Sequence, residues 1–171
     1  MRLALLAFLC IPLAACVSAT SRDLPPEARS LSGHLSRLER QHLEAIAFIH
    51  GGRSIIQRAR ESGALADNVE WWVAGPSEIL PFAGTWRGIE GVAEFQKKLS
   101  ETMRYDKVEL QRYIVSGDDV AAIFVGEGVA RATGKPFRSE IVRLYTFASG
   151  KVVRVRNYYD TAAYIKAVRG E

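Results

Sequence analysis

The sequence predicts an α+β domain, with helices laid on one face of a curved, mostly antiparallel sheet. Three observations carry this. Amphipathic helical spacing fills the first part of the chain, four β-prone runs separated by short turn signals fill the last part, and no strand–helix–strand alternation points to a parallel sheet. In the first helix Leu31, Leu35, Leu38, Ala45, Ile46 and Ile49 share an apolar stripe, and Gly51-Gly52 ends it. Ser54 and Gln57 have the form of a capping box, opening a second helix over Ile55, Ile56 and Ala59. Val69 to Val73 alternates as a strand, with Val69, Trp71 and Val73 on one face and Glu70 and Trp72 on the other. Gly75-Pro76 and Pro81 to Gly84 then form a loop. Ile89, Val92, Phe95, Leu99 and Met103 mark a third helix. The four β-like runs span 106–116, 119–132, 136–147 and 151–159, and a short helix starts near Asp160.

The amino terminus reads as an address rather than as part of the domain. Of residues 1–15, 13 are apolar, and Arg2 is the one charge among them. The run Leu3 to Leu13 falls short of the roughly 20 residues a membrane-spanning helix needs. Leu13-Ala14-Ala15-Cys16 resembles a bacterial lipobox, which would make Cys16 the lipidated first residue of the mature protein; the alternative is ordinary cleavage at an Ala-x-Ala-like site. Residues 1–15 are thus a signal, 16–30 a tether rich in Ser, Thr, Pro and charge, and 31–171 the domain. Removing 15 of 171 residues leaves 156 and takes the net charge from +4 to +3. No cysteine is then left to pair, so the domain must rest on its core. A charge this small and evenly spread argues against nucleic acid. The chain is expected at the cell envelope, with the periplasmic face of the outer membrane favoured.

Motifs for chemistry are few. His34, His42 and His50 are each eight residues apart, about 12 Å along a helix, so no two can hold one ion, and no metal or cofactor is expected. His42 lies on the apolar stripe and reads as a core histidine. The sequence lacks His-Glu-x-x-His, Gly-x-Ser-x-Gly and Walker-type patterns.

The pattern of the last two strands suggests a pocket. A three-residue turn at Ala148-Ser149-Gly150 would set Arg143 opposite Val155, with Ile141, Arg143, Tyr145, Val153, Val155, Asn157 and Tyr159 on the inner face. A two-residue turn would set Arg143 against Arg156, an unfavourable like-charge pair. Arg143, placed among apolar side chains with Asn157 beside it, needs an anion or several acceptors. It either grips a carboxylate or enolate oxygen of a ligand or pairs internally with Glu140, Asp67 or Asp160. Asp160 is either a general base or the N-cap of the last helix. Trp71, Val73, Trp86, Phe95, Tyr145 and Tyr159 would line an apolar site or form plain core. The outward Trp72 and Tyr158 suggest a homodimer through the sheet.

The stretches ALADNVEWWVAGP, PFAGTWRGIEGVAEF, ATGKPF and GKVVRVRNYYDTAAY, in this order, resemble the SnoaL-like branch of the nuclear transport factor 2-like superfamily. That branch includes ketosteroid isomerases, limonene epoxide hydrolases and polyketide cyclases. The likeness runs from about Leu35 to Val168. It implies a conical α+β barrel, three helices packed on a curved sheet, frequent dimers and a deep pocket for small apolar molecules. Matched strand to strand, the isomerase base and the hydrolases' water-positioning asparagine fall at Val73. The isomerase oxyanion-hole acid falls at Arg143, its partner tyrosine near Ala45 and the hydrolase base at Asn157. The catalytic carboxylates of both mechanisms are therefore absent, and a guanidinium, with a pKa above about 12, cannot replace them as a base. The expected function is binding of a small, apolar or anionic ligand. The alternatives are an isomerase or cyclase acting on a carbonyl compound with Asp160 as base, and a structural dimeric module.

Overall fold

The computed structural model describes residues 35–50 and 55–171. The expected signal and tether, Cys16 with them, Ser54 of the expected capping box, His34 and the side chain of His50 lie outside the described residues. The elements, in order, are α1 (Arg37–His50), α2 (Ile55–Ser62), β1 (Leu65–Val73), β2 (Gly84–Arg87), α3 (Gly88–Thr102), β3 (Met103–Ser116), β4 (Asp119–Ala130), β5 (Pro136–Ala148), β6 (Lys151–Tyr159) and α4 (Thr161–Arg169).

The α+β class stands, with two corrections to the architecture. The described residues form four helices rather than three, because α4 packs on β4 and β5 as a full element. The sheet is also not closed. Its order is β2-β1-β6-β5-β4-β3, which leaves β2 and β3 as edges. It is mixed, since β1 pairs with β6 in parallel while the other pairings are antiparallel. β2 falls partly in the segment expected to be loop. Four residues with Gly84 at their head carry too weak a pattern to announce a strand, and pairing of Trp86 with Trp71 makes it one.

α1 opens on a capping box of its own. Ser36 N–H donates to Glu39 Oε2 at 2.8 Å, and Glu39 N–H donates to Ser36 Oγ at 3.2 Å. The hydrogen bonds from Ser36 hold the Glu39 carboxyl below the ordinary glutamate value. The same helix is tied to the β3–β4 turn through one residue. Glu39 Oε1 accepts Gly117 N–H at 3.4 Å, and His42 Nδ1–H donates to Gly117 O at 3.2 Å. His42 is buried, as its place on the stripe predicts, and stacks on Phe147 with centroids 3.9 Å apart.

Alternation on β1 buries Val69, Trp71 and Val73, and α3 lays Val92 and Phe95 against them. Met103, placed by spacing at the end of that helix, is instead the first residue of β3 and is still buried. Each such side chain contributes roughly 1.5–3 kcal/mol on leaving water.

The β5–β6 hairpin takes neither register considered from the sequence. Its turn is the two-residue Ser149-Gly150, with φ of 50° and 74°, the left-handed pair a primed turn requires. A register shift follows between Thr146 and Phe147: Phe147 faces Val152, while Thr146 faces Arg154, so Val153 is an extra, bulged residue. The bulge sets Arg143 opposite Asn157 and Arg156 opposite Leu144, which removes the like-charge clash of a plain two-residue turn. Ile141, Tyr145, Val155 and Asn157 face inward as expected, while Val152 replaces Val153 as the buried residue beyond the bulge.

Candidate functional site

Register aligns the inner face into rows that cross the sheet. One runs Trp71, Val155, Tyr145, Val120, and the next runs Val73, Asn157, Arg143, Ala122, Tyr113. The second row carries the charge. Arg143 Nε–H donates to Asn157 Oδ1 at 3.2 Å, and its guanidinium carbon lies 5.3 Å from the centroid of the Phe124 ring. Ala122, directly opposite Arg143 on β4, presents only a methyl group.

Tyrosine hydroxyls gather around this guanidinium. Burial pushes the Tyr145 hydroxyl up, and the charge of Arg143, which also hydrogen-bonds it, pulls partly the other way. Tyr105 and Tyr164 share a hydroxyl–hydroxyl bond of 2.6 Å. Both are raised by burial, and both feel the positive charge of Arg143. Phe137 and Tyr159 pack on Tyr164 at 4.6 and 4.4 Å. The result is a cation framed by neutral hydroxyls and an amide, able to orient or stabilise an oxyanion.

The sequence-predicted site residues divide into three groups. Arg143, Asn157 and Tyr145 come together as a polar cluster. Trp71, Trp86 and Phe95 come together as an aromatic cluster, with centroids 5.6 Å (Trp71–Phe95) and 6.5 Å (Trp86–Phe95) apart. Trp71, Val73, Phe95 and Tyr145 are at most 1% exposed, so they are packed core rather than the lining of an open pocket. Trp71 Nε1–H has no hydrogen-bond partner among the described residues, whereas Trp86 Nε1–H donates to Phe82 O at 3.0 Å. Tyr159 stands apart: its hydroxyl donates to Ala74 O at 2.6 Å, fastening β6 to the end of β1.

Asp160 takes the capping role. It is exposed, its Oδ1 accepts Ala163 N–H at 3.1 Å, and its own N–H donates to Ser139 Oγ at 2.9 Å. That bond gives the carboxylate a structural role in the first turn of α4, and the residue also lines a cavity beside Tyr159. Residues the sequence did not single out complete the site: Tyr105, Tyr164, Tyr113 and Phe124. Tyr164 had a signal, since a tyrosine on the buried face of a short helix needs a partner for its hydroxyl.

Two cavities of about 440 Å³ open at the surface. One lies by Ser139, Tyr158, Tyr159 and Asp160. The other lies between the end of α3 and β3, with Tyr105 in its wall.

Comparison with known proteins agrees with this fold. A protein assigned by likeness to the SnoaL-like polyketide cyclases, from Jannaschia sp. CCS1, superposes with a TM-score of 0.68 at 20% identity, covering 80% of this chain and 97% of that one. An NTF2-like protein from Burkholderia xenovorans LB400 superposes with a TM-score of 0.66 at 24% identity, covering 76% and 97%. At these identities the likeness is one of fold. UPF0523 protein B of Dictyostelium discoideum is 28% identical over 106 residues, 57% of this chain and 61% of that protein, so the chain spans about three fifths of the relative's length. Residues 58–155, more than half of the chain, match the SnoaL-like domain, and the chain belongs to that family.

Proposed function

We propose that this chain is a lipid-anchored envelope protein whose SnoaL-like domain binds a small, mostly apolar anion, with Arg143 and Asn157 as the polar contacts. The observation that carries the reading is the Arg143 row: a guanidinium on the inner face of the sheet, hydrogen-bonded to Asn157 and Tyr145, both neutral. A ligand carboxylate or enolate would replace a neutral acceptor with a charged one, a stronger hydrogen bond. Tyr105 and Tyr159 are half-buried whereas Trp71 and Phe95 are buried, which favours approach from the tyrosines. Binding is favoured over turnover because Asp160 caps α4. An isomerase or cyclase would need another base.

The test is calorimetric titration of 2-naphthoate into wild type and Arg143→Met, which keeps side-chain length. A charge-assisted hydrogen bond is worth about 1.5–3 kcal/mol, so the variant should bind at least about tenfold more weakly. Equal affinity would remove Arg143 from the site. For the anchor, Cys16→Ser should move the protein from the membrane fraction to the soluble one, and unchanged fractionation refutes lipidation. The outer sheet face supports a homodimer. There Trp72 lies 5.3 Å from Tyr158 and 5.5 Å from the guanidinium of Arg156, and Tyr158 is 46% exposed.

A further inference from the structure

The cavity between the end of α3 and the β3 edge is lined by three cations, Lys97, Arg104 and Arg131, and by no carboxylate among the described residues. Its wall and floor are Leu99, Met103 and Tyr105. The three cations are not equivalent. Arg104 is committed to Asp106, with Nε 3.0 Å from Oδ1 and Nη2 3.4 Å from Oδ2. Arg131 is fixed by its other atoms: Nε–H donates to Ser100 O at 2.6 Å, and its backbone N–H donates to Thr102 O at 2.9 Å. These bonds cover carbonyls at the end of α3, where the helix dipole would otherwise repel an anion. They also hold the guanidinium at the cavity with its terminal N–H groups unpaired among the described residues. The Lys97 ammonium has no ion pair among them either.

Two uncommitted cations over an apolar floor, in a volume within the usual range for small-molecule sites, define one ligand chemistry. We propose that this cavity is a second binding site for a small amphipathic anion, with cations of its own and Tyr105 in common with the Arg143 cluster. Lys97 and Arg131 hold its carboxylate, and Leu99, Met103 and the Tyr105 ring take its aliphatic part. Arg131 supplies a planar pair of donors that matches a carboxylate, and Lys97 supplies a movable point charge. The site does not depend on the Arg143 reading, because its cations lie on α3 and at the end of β4 rather than on β5.

The test uses the purified full chain and decanoate below its micellar concentration, with decanol as the neutral match, in calorimetric titrations at low and high salt. Decanoate should bind more tightly than decanol, and its affinity should fall with salt. Lys97 is exposed and makes no side-chain contact that the fold needs, so Lys97→Gln should keep the wild-type thermal midpoint and lose roughly tenfold in affinity for decanoate. Lys97→Glu should lose more, and should do so equally in an Arg143→Met background, where decanoate cannot use the Arg143 cluster. Equal affinity in wild type and Lys97→Glu, or decanol binding as well as decanoate, would overturn the proposal. Binding to phosphatidylglycerol vesicles without binding to monomeric decanoate would overturn it as well, by assigning the cations to a membrane surface.

Discussion

Replacing Asp160 in two ways separates the cap from the base. In the structure its Oδ1 accepts Ala163 N–H at 3.1 Å, satisfying one of the four N–H groups that the first turn of α4 leaves without helical partners. Loss of an N-cap side chain costs about 0.5–2 kcal/mol, typically about 1, while asparagine supplies the same acceptor and caps about as well as aspartate. Asp160→Ala should therefore lower stability by about 1 kcal/mol, or about 2–4 °C in a domain of this size. Asp160→Asn should stay within a few tenths of a kcal/mol of wild type. The assay is urea unfolding at pH 7, with the midpoint falling at constant slope because the buried surface is unchanged. The Ser139 Oγ contact comes from the Asp160 backbone N–H and survives both changes. Should Asn cost as much as Ala, or Ala cost nothing, the side chain is not acting as a cap and the reasoning fails.

Two further outcomes follow from packing and charge. A Cβ on Gly128 would sit 1.9 Å from the Arg104 carbonyl oxygen, a backbone atom that cannot step aside; Gly128→Ala should cost about 3 kcal/mol or more, read as a large drop in thermal midpoint. Glu39 has a folded pKa below its ordinary value, so its contribution to stability is present above the ordinary glutamate pKa and is lost as pH falls through the lowered one. Glu39→Gln keeps a capping side chain without the charge, and the stability difference between it and wild type should shrink toward zero on acidification; a difference independent of pH would contradict this.

What was legible in the sequence was periodicity, and what was not was local geometry. Val69, Trp71 and Val73 announce their shared face by strict alternation, and the bounds of β6 match the run read from residues 151–159, because side-chain direction is fixed by the backbone. The bulge at Val153 leaves no such trace. Val152-Val153 reads as two equivalent β-formers, and only the pairing of two twisted strands decides which one is squeezed out. The same limit applies to the site. Arg143 and Asn157 could be placed on one face from the hairpin, though not opposite one another, but Tyr105 and Tyr164 stand 59 residues apart and meet only when α4 folds onto the sheet. Of the aromatic residues expected around the ligand, Trp71, Phe95 and Tyr145 are buried while Trp86 and Tyr159 are half-buried, since alternation says which residues face inward and not how much room is left between them.

The parallel pairing of β1 with β6 bears on how the chain assembles. β1, β2 and α3 form one local group, and β3, β4 and β5 form another by short hairpins, so each can gather early at little cost in loop closure. Neither group meets the other through a strand until β6 inserts between β1 and β5. The strand that unites the sheet thus leaves the ribosome after every other strand it joins. A chain ending before Lys151 would hold two half-sheets with open edges at β1 and β5, prone to pair with other chains instead of with each other.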